Sequence, residues 1–295
     1  MDVEMKIQEA INKVTRKQKL KNYSKHPGSF LLALLTKLAI ILTVLALGFI
    51  LIYILVKGIP NLSTDLFALK YTTENVSMLP AIINTLTITL LSLCIAGPIG
   101  IFSAIYLVEY AKKGNKLVEV VRVTAETLTG IPSIVYGLFG MLFFVTTLKC
   151  GYSLLAGALT LSIMVLPVIM RTTEEALLAV PNSFREGSFG LGAGKLRTIF
   201  KIVLPSAVPG ILAGVILAIG RMVGETAALI YTAGTVAEIP SSIMSSGRTL
   251  AIHMYSLSKE GLYTDQAYAT AVVLLIVVVL INMLSNFVAK KFTKK

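Results

Sequence analysis

Apolar residues in this chain come in long unbroken runs, not in the alternation or three-to-four spacing of soluble elements. A helix crosses ~30 Å of hydrocarbon with roughly 20 apolar residues. Six runs reach that length: Leu38–Val56, Ala81–Val108, Leu128–Leu148, Tyr152–Met170, Val208–Ala233 and Ala267–Ala289. They predict an all-α membrane protein with six transmembrane helices. Gly97-Pro98-Ile99-Gly100 predicts a kink in the second run, and Pro167 lies near the end of the fourth. The chain divides into a basic tail (1–37), a first helix with an outer loop (38–78), a transmembrane domain (79–290) and a short end (291–295). A polar loop at about 171–205 belongs to the transmembrane domain.

Basic residues set the orientation. Lys6, Lys13, Arg16, Lys17, Lys19, Lys21, Lys25 and Lys37 precede the first run or open it. Lys112, Lys113, Lys116 and Arg122 follow the second, Arg171, Arg185, Lys195, Arg197 and Lys201 follow the fourth, and Lys290, Lys291, Lys294 and Lys295 end the chain. The other side holds only Lys57, Lys70, Lys149, Arg248 and Lys259. Both termini and the 171–205 loop are therefore expected in the cytoplasm. Tyr53, Tyr106, Tyr110, Tyr152 and Tyr231 fall near run ends, as interfacial anchors do. The tail carries Val3, Ile7, Ile11 and Val14 on one face, so it either lies on anionic membrane lipid or stays solvated.

Composition agrees with the bilayer as solvent. Apolar residues make up 55% and charged residues 14%, against ~25% charged in soluble domains. A net charge of +12 would suit nucleic acid, but the cations cluster by loop and form no single stripe, so no nucleic-acid partner is expected. Cys94 and Cys150 read as unpaired packing residues. The first run is too long for a cleavable signal and lacks a small-residue site after it. The segment from Gly234 to Gln266 is the longest polar stretch on the outer side, long enough to cap a pathway or meet an external partner.

The 171–205 loop carries its own pattern. Pro181 marks a helix start, and Ser183 with Glu186 has capping-box spacing. Gly190, Gly192 and Gly194 predict a break at Gly192, followed by a second helix running toward Pro205. Phe184, Phe189 and Leu191 put apolar side chains in a polar loop, where a partner's groove would bury them. Gly190-Leu191-Gly192-Ala193-Gly194-Lys195 is not a nucleotide loop: Phe189 replaces the first glycine, and Leu196 stands where a hydroxyl should hold magnesium. With His26 and His253 as the histidines, no hydrolytic metal motif exists. The chain is expected to be no enzyme and to hold no cofactor.

Arg221 lies about 20 Å into the fifth run by helix rise. Its insertion costs roughly 2.5–3.5 kcal/mol or more, so a partner or polar cavity is expected. Glu225, four residues on, shares a helix face with it. Gly220 and Gly224 have the spacing that lets another helix approach. The pair either braces a helix interface or lines a path for an oxyanion. In the second reading Glu225 accepts the proton-bearing oxygen of hydrogen phosphate and disfavours sulfate. Thr226 neighbours the pair. Arg171 either reaches a vestibule or anchors the inner interface. Glu109, Arg122 and Glu126 read as solvated or inter-subunit charges.

Glu186, Gly192, Ile202, Leu204 and Pro205 together resemble the EAA signature of ABC importer permeases, with Gly187 and Ser188 where the family has two alanines. Pro98–Ala111, Gly130–Gly140 and Gly220–Ala227 are similar to phosphate-specific ABC permeases, of the PstA type by length. The resemblance implies a type I ABC importer permease fold with a cytoplasmic coupling helix. It implies a homologous permease partner of the PstC type, two copies of an ATP-binding subunit that carry ATP and Mg, and an external phosphate-binding protein. Phe184, Glu186, Gly187, Ser188, Leu191 and Gly192 would dock the ATPase. Arg221, Glu225, Thr226 and Arg171 would line the phosphate path. Permeases for sulfate or molybdate, and a carrier or channel acting without an ATPase, are the alternatives.

Overall fold

A computed structural model describes residues 27–112 and 114–293, with backbone alone from 288 onward. The basic tail before Pro27, with its apolar face at Val3, Ile7, Ile11 and Val14, lies outside the described residues, as do Lys113, Lys294 and Lys295. The described residues are mostly helical and contain no strand.

Residues up to Val56 and residues from Lys57 onward form two separate units. The first is essentially α1, Pro27–Gly58. It begins well before Leu38 because Phe30, Leu31, Leu32, Leu34 and Leu35 extend the apolar run. Its large apolar side chains are exposed, a surface that suits hydrocarbon and not water.

The second unit contains α2 (Leu79–Ile105), α3 (Lys116–Thr129), α4 (Ser133–Gly140), α5 (Leu154–Leu178) and α6 (Asn182–Gly190). After them come α7 (Lys195–Thr198), α8 (Leu204–Val223), α9 (Ala227–Ile230), α10 (Leu250–Glu260) and α11 (Thr264–Thr293). Widened π turns at Tyr106–Tyr110, Met141–Thr147 and Ile199–Val203 extend α2, extend α4 and join α7 to α8. Among the described residues, five continuous helices are long and apolar enough to span, and α3 with α4, taken as one bent span, makes a sixth.

Several expectations change. The third run is not one straight span. α3 and α4 meet at 104°, because Pro132 lacks an N–H and holds the chain extended at the turn. Tyr136 closes the elbow by donating its hydroxyl to the Leu128 carbonyl at 2.7 Å. The fifth run stops at Val223. Pro98, Pro167 and Pro209 lie inside helices and end none, as bilayer helices allow where neighbouring groups satisfy the freed carbonyls. Pro205 likewise ends nothing: the widened turn at Ile199–Val203 relieves the crowding that a proline ring imposes on the preceding turn, and the helix continues.

The core sits around α5, with Leu161, Met164, Val165 and Ile169 buried against α2, α4, α8 and α9. α8 approaches α5 through Gly210 and Gly214. A side chain at Gly210 would lie 2.6 Å from Ala176 Cβ, and one at Gly214 would collide with the Thr172 hydroxyl. Small residues buy this approach where burial in lipid provides no hydrophobic drive. The predicted contact pair, Gly220 and Gly224, meets nothing from another helix. Among the described residues, that face of α8 carries no packing partner.

The polar segment from Gly234 to Gln266 is tied back onto the bundle. Gly247 and Arg248 donate to the Ala233 and Val236 carbonyls, and Leu154 and Leu155 donate to those of Ser245 and Ile243. α10 then buries Leu250, Ala251, Ile252, His253 and Leu257.

Candidate functional site

α6 begins at Asn182, with Pro181 before it and no side-chain cap. The expected capping box therefore does not form; Ser183 is already inside the helix. The end is set by Gly192, at φ +77°, a conformation that costs a residue with a Cβ. Gly192 donates to Phe189 and Ala193 to Ser188, the paired bonds of a Schellman end. Phe184, Glu186, Gly187 and Phe189 are exposed, and Leu191 is 91% exposed. Ser188 points the other way: it is buried and shares a 2.8 Å hydrogen bond with the Thr198 hydroxyl. It ties α6 to α7 and cannot face a docked partner.

Arg185 holds this helix to the transmembrane core. Its Nε and Nη2 donate to Glu109 Oε1 at 3.0 and 2.8 Å. Nη1 donates to the Val180 carbonyl at 2.8 Å and Nη2 to Leu177 at 2.9 Å. Both side chains are largely buried. Glu109 is thus no solvated charge. It joins the end of α2 to α6, while the two carbonyls join α6 to the end of α5.

A second group of charges lines a cavity of about 810 Å³ between α3 and α5. Arg122 pairs with Glu174 at 2.6 Å, and Arg171 reaches Glu175 at 3.3 Å and Glu126 at 3.5 Å. Arg171 is therefore a cavity residue held by two acids. Arg122 and Glu126 make these ion pairs while their side chains stay solvent-exposed, as expected of solvated charges.

Arg221 occupies the last turn of α8, half-buried. The helix ends at Gly224, so Glu225 does not sit one turn above it. Glu225 instead accepts from the Ala228 amide at 3.2 Å and caps α9. Among the described residues Arg221 has no ion pair, and the expected Arg221–Glu225 pair is absent. Thr226 opens α9, accepting from the Ile230 amide at its carbonyl. α9 packs on α4 through Gly137, where a Cβ would lie 2.8 Å from Ala228 Cα. The same approach puts Arg221 within electrostatic reach of Tyr136. The break in the fifth run and the elbow of the third thus meet at one place.

Residues 96–295 match the family described as the binding-protein-dependent transport system inner membrane component. The chain belongs to that family. Among relatives of this inner membrane component is the phosphate transport system permease protein PstA of Pasteurella multocida, 36% identical over 87% of this chain and 92% of that protein. The probable ABC transporter permease protein YqgI of Bacillus subtilis is 32% identical over 82% of this chain and 88% of its own length. In solved structures, a chain of a bacterial alginate ABC transporter superposes with a TM-score of 0.67 at 18% identity, covering 92% of this chain and 98% of that one. A chain of the MetNI methionine ABC transporter gives 0.56 at 20% identity, over 82% and 98%. The fold is that of a type I ABC importer permease, and the chain is a multi-pass membrane protein.

Arg185 and Glu109 escaped the sequence reading as a site. Arg185 lies within the signature loop, but nothing local marks a partner 76 positions away.

Proposed function

We propose that this chain is the membrane permease subunit of an ATP-driven importer for inorganic phosphate. One observation carries the reading: relatives named phosphate transport system permease protein PstA align over nearly the whole chain, at 36% identity for Pasteurella multocida and 31% over 91% of this chain for Haemophilus influenzae. A homologous permease of the PstC type completes the pore, and an external phosphate-binding protein delivers the anion. Both termini and α6 lie in the cytoplasm. Two copies of an ATP-binding subunit dock below, one of them on the exposed rim of α6 at Phe184, Glu186, Gly187 and Leu191. ATP and Mg belong to those subunits, and this chain performs no hydrolysis.

Movement of α6 passes through Arg185 to α2 and α5, and the spans exchange inward and outward openings because the motor favours one state over the other. Arg221 offers the planar fork for the anion, with Thr226 beside it. Glu225 shapes the break by capping α9 rather than by holding Arg221. Arg171 acts at the cytoplasmic vestibule.

Co-purification of the subunits, then ATP-dependent uptake of radiolabelled phosphate into liposomes, tests the reading. Recovery without an ATPase, or uptake of sulfate in preference to phosphate, overturns it.

A further inference from the structure

At the opposite end of α5 from α6 lies a group of buried polar side chains that the transport reading does not use. Arg248 is 6% exposed, Thr249 2% and His253 fully buried. Arg248 Nε and Nη2 and the Thr249 hydroxyl have no hydrogen-bond partner, and neither His253 ring nitrogen makes a hydrogen bond of full geometry, the Val76 carbonyl being the backbone acceptor beside the ring. Nε and Nη2 form the edge of a guanidinium that takes two oxygens side by side. Arg185 uses that same edge on Glu109. Arg248 has no such acceptor: among the described residues no carboxylate pairs with it, and Glu238 near it in the chain has an exposed side chain. Its guanidinium lies over the Tyr71 ring, 4.5 Å from the centroid, and Tyr71 meets His253 edge-on.

The backbone around the group is already satisfied. The Leu250 amide, first in α10, donates to Thr85 Oγ1 at 2.8 Å, and Asn84 donates to the Arg248 carbonyl at 3.2 Å. Thr249, immediately before α10, makes no cap bond, so its hydroxyl remains available at the positive end of that helix. His253 stays neutral, because burial first and the Arg248 charge second push it down to about 3, against a weaker pull from the Val76 carbonyl. A neutral imidazole has one N–H to donate and one lone pair to accept.

We propose that Arg248, Thr249 and His253 form a binding site for a small oxyanion, separate from Arg221. The fork and the hydroxyl supply donors, and the neutral imidazole's lone pair accepts a hydrogen bond from the P–OH that hydrogen phosphate carries and sulfate lacks. Depth favours a free anion over a carboxylate of another protein. The half-buried Tyr71 ring covers the guanidinium and must turn aside to admit a free tetrahedral ion, whereas a tethered side chain would also have to bring its own backbone to this depth. Tyr71 rides on a short loop fixed by Asn75, whose side chain accepts from Thr72 and Ser77 and donates to Lys70. The loop closes through Val76 at φ +45°, an unusual conformation for a β-branched residue.

The site rests on the phosphate reading only for the choice of probe. The test is the thermal midpoint of the purified importer complex, without ATP, titrated with phosphate, sulfate or chloride at constant ionic strength. Saturable stabilisation by phosphate is expected in the wild type, at lower concentration than by sulfate. Arg248→Lys, which keeps the charge but loses the fork, should need at least tenfold more phosphate, and His253→Phe should lose the preference over sulfate. An unshifted wild type, or Arg248→Lys responding at the wild-type concentration, overturns the site. Should Arg248→Lys fail to assemble, Thr249→Val decides by the same comparison, with a severalfold weakening expected. Liposome uptake is measured on the same wild-type complex. Uptake without an Arg248-dependent shift removes the site and leaves the cargo assignment; the shift without uptake does the reverse.

Discussion

Arg185 and Glu109 stand 76 positions apart and meet through two hydrogen bonds of 3.0 and 2.8 Å at the junction of α2, α5 and α6. The same guanidinium also satisfies carbonyls at the end of α5 and just beyond it. Removing one member of a buried pair strands the other, at about 3 kcal/mol or more. Glu109→Gln should therefore lower the thermal midpoint and cut ATP-driven uptake at least tenfold while the ATPase subunits still co-purify. The exchanged pair Arg185→Glu with Glu109→Arg should recover part of the stability. Full uptake by Glu109→Gln would show that this contact transmits nothing.

The two faces of α6 predict opposite labelling. A cysteine at Leu191 should react fast with a maleimide in the isolated subunit and slowly once the ATPase is bound. A cysteine at Ser188 should react slowly in both, since that side chain is buried against Thr198. Equal rates at the two positions would contradict the face assignment.

Glycine spacing gives a paired test. Gly214→Leu drives a side chain into Thr172 and should destabilise the subunit by about 3 kcal/mol or more. Gly220→Leu has open space and should leave subunit stability within ~0.5 kcal/mol. It should instead reduce recovery of the homologous permease if that face meets it. Thermal midpoints and pull-down yields separate the two.

His253 makes stability depend on pH. Its folded value near 3 lies below the ordinary 6.5, so folding favours the neutral ring. That contribution is whole above pH 6.5 and shrinks as pH falls toward 3, by ~1.4 kcal/mol per unit. Near pH 5 the loss reaches about 2 kcal/mol. His253→Gln should flatten the fall in thermal midpoint between about pH 7.5 and pH 5; an unchanged slope would remove this histidine as the cause.

Legibility in the sequence followed distance. Run length was enough for an all-helical, six-run membrane fold, and the glycine at 192 announced the end of α6, because both signals are local. The Arg221–Glu225 reading erred by counting the apolar run straight through Gly224-Glu225-Thr226, where hydropathy hides a backbone break. Pro132 was visible too, but its effect on an apolar run is an elbow only when Tyr136 can satisfy Leu128 across it. Glu109 read as a solvated or inter-subunit charge because it stands at the end of an apolar run, and His253 drew no structural expectation at all. Their burial comes from α5 and α6 in one case and from α2 and the 71–76 loop in the other, and no spacing rule encodes that.

α5 runs from the buried Arg248 group to the Arg185 clamp as one helix, at the centre of the core. A peripheral helix could be displaced alone, but this one drags its packed neighbours with it. A displacement arriving at Leu177 therefore enters the same helix that begins at Leu154, and any give between the two ends has to be taken up along α5 itself, where Pro167 lies.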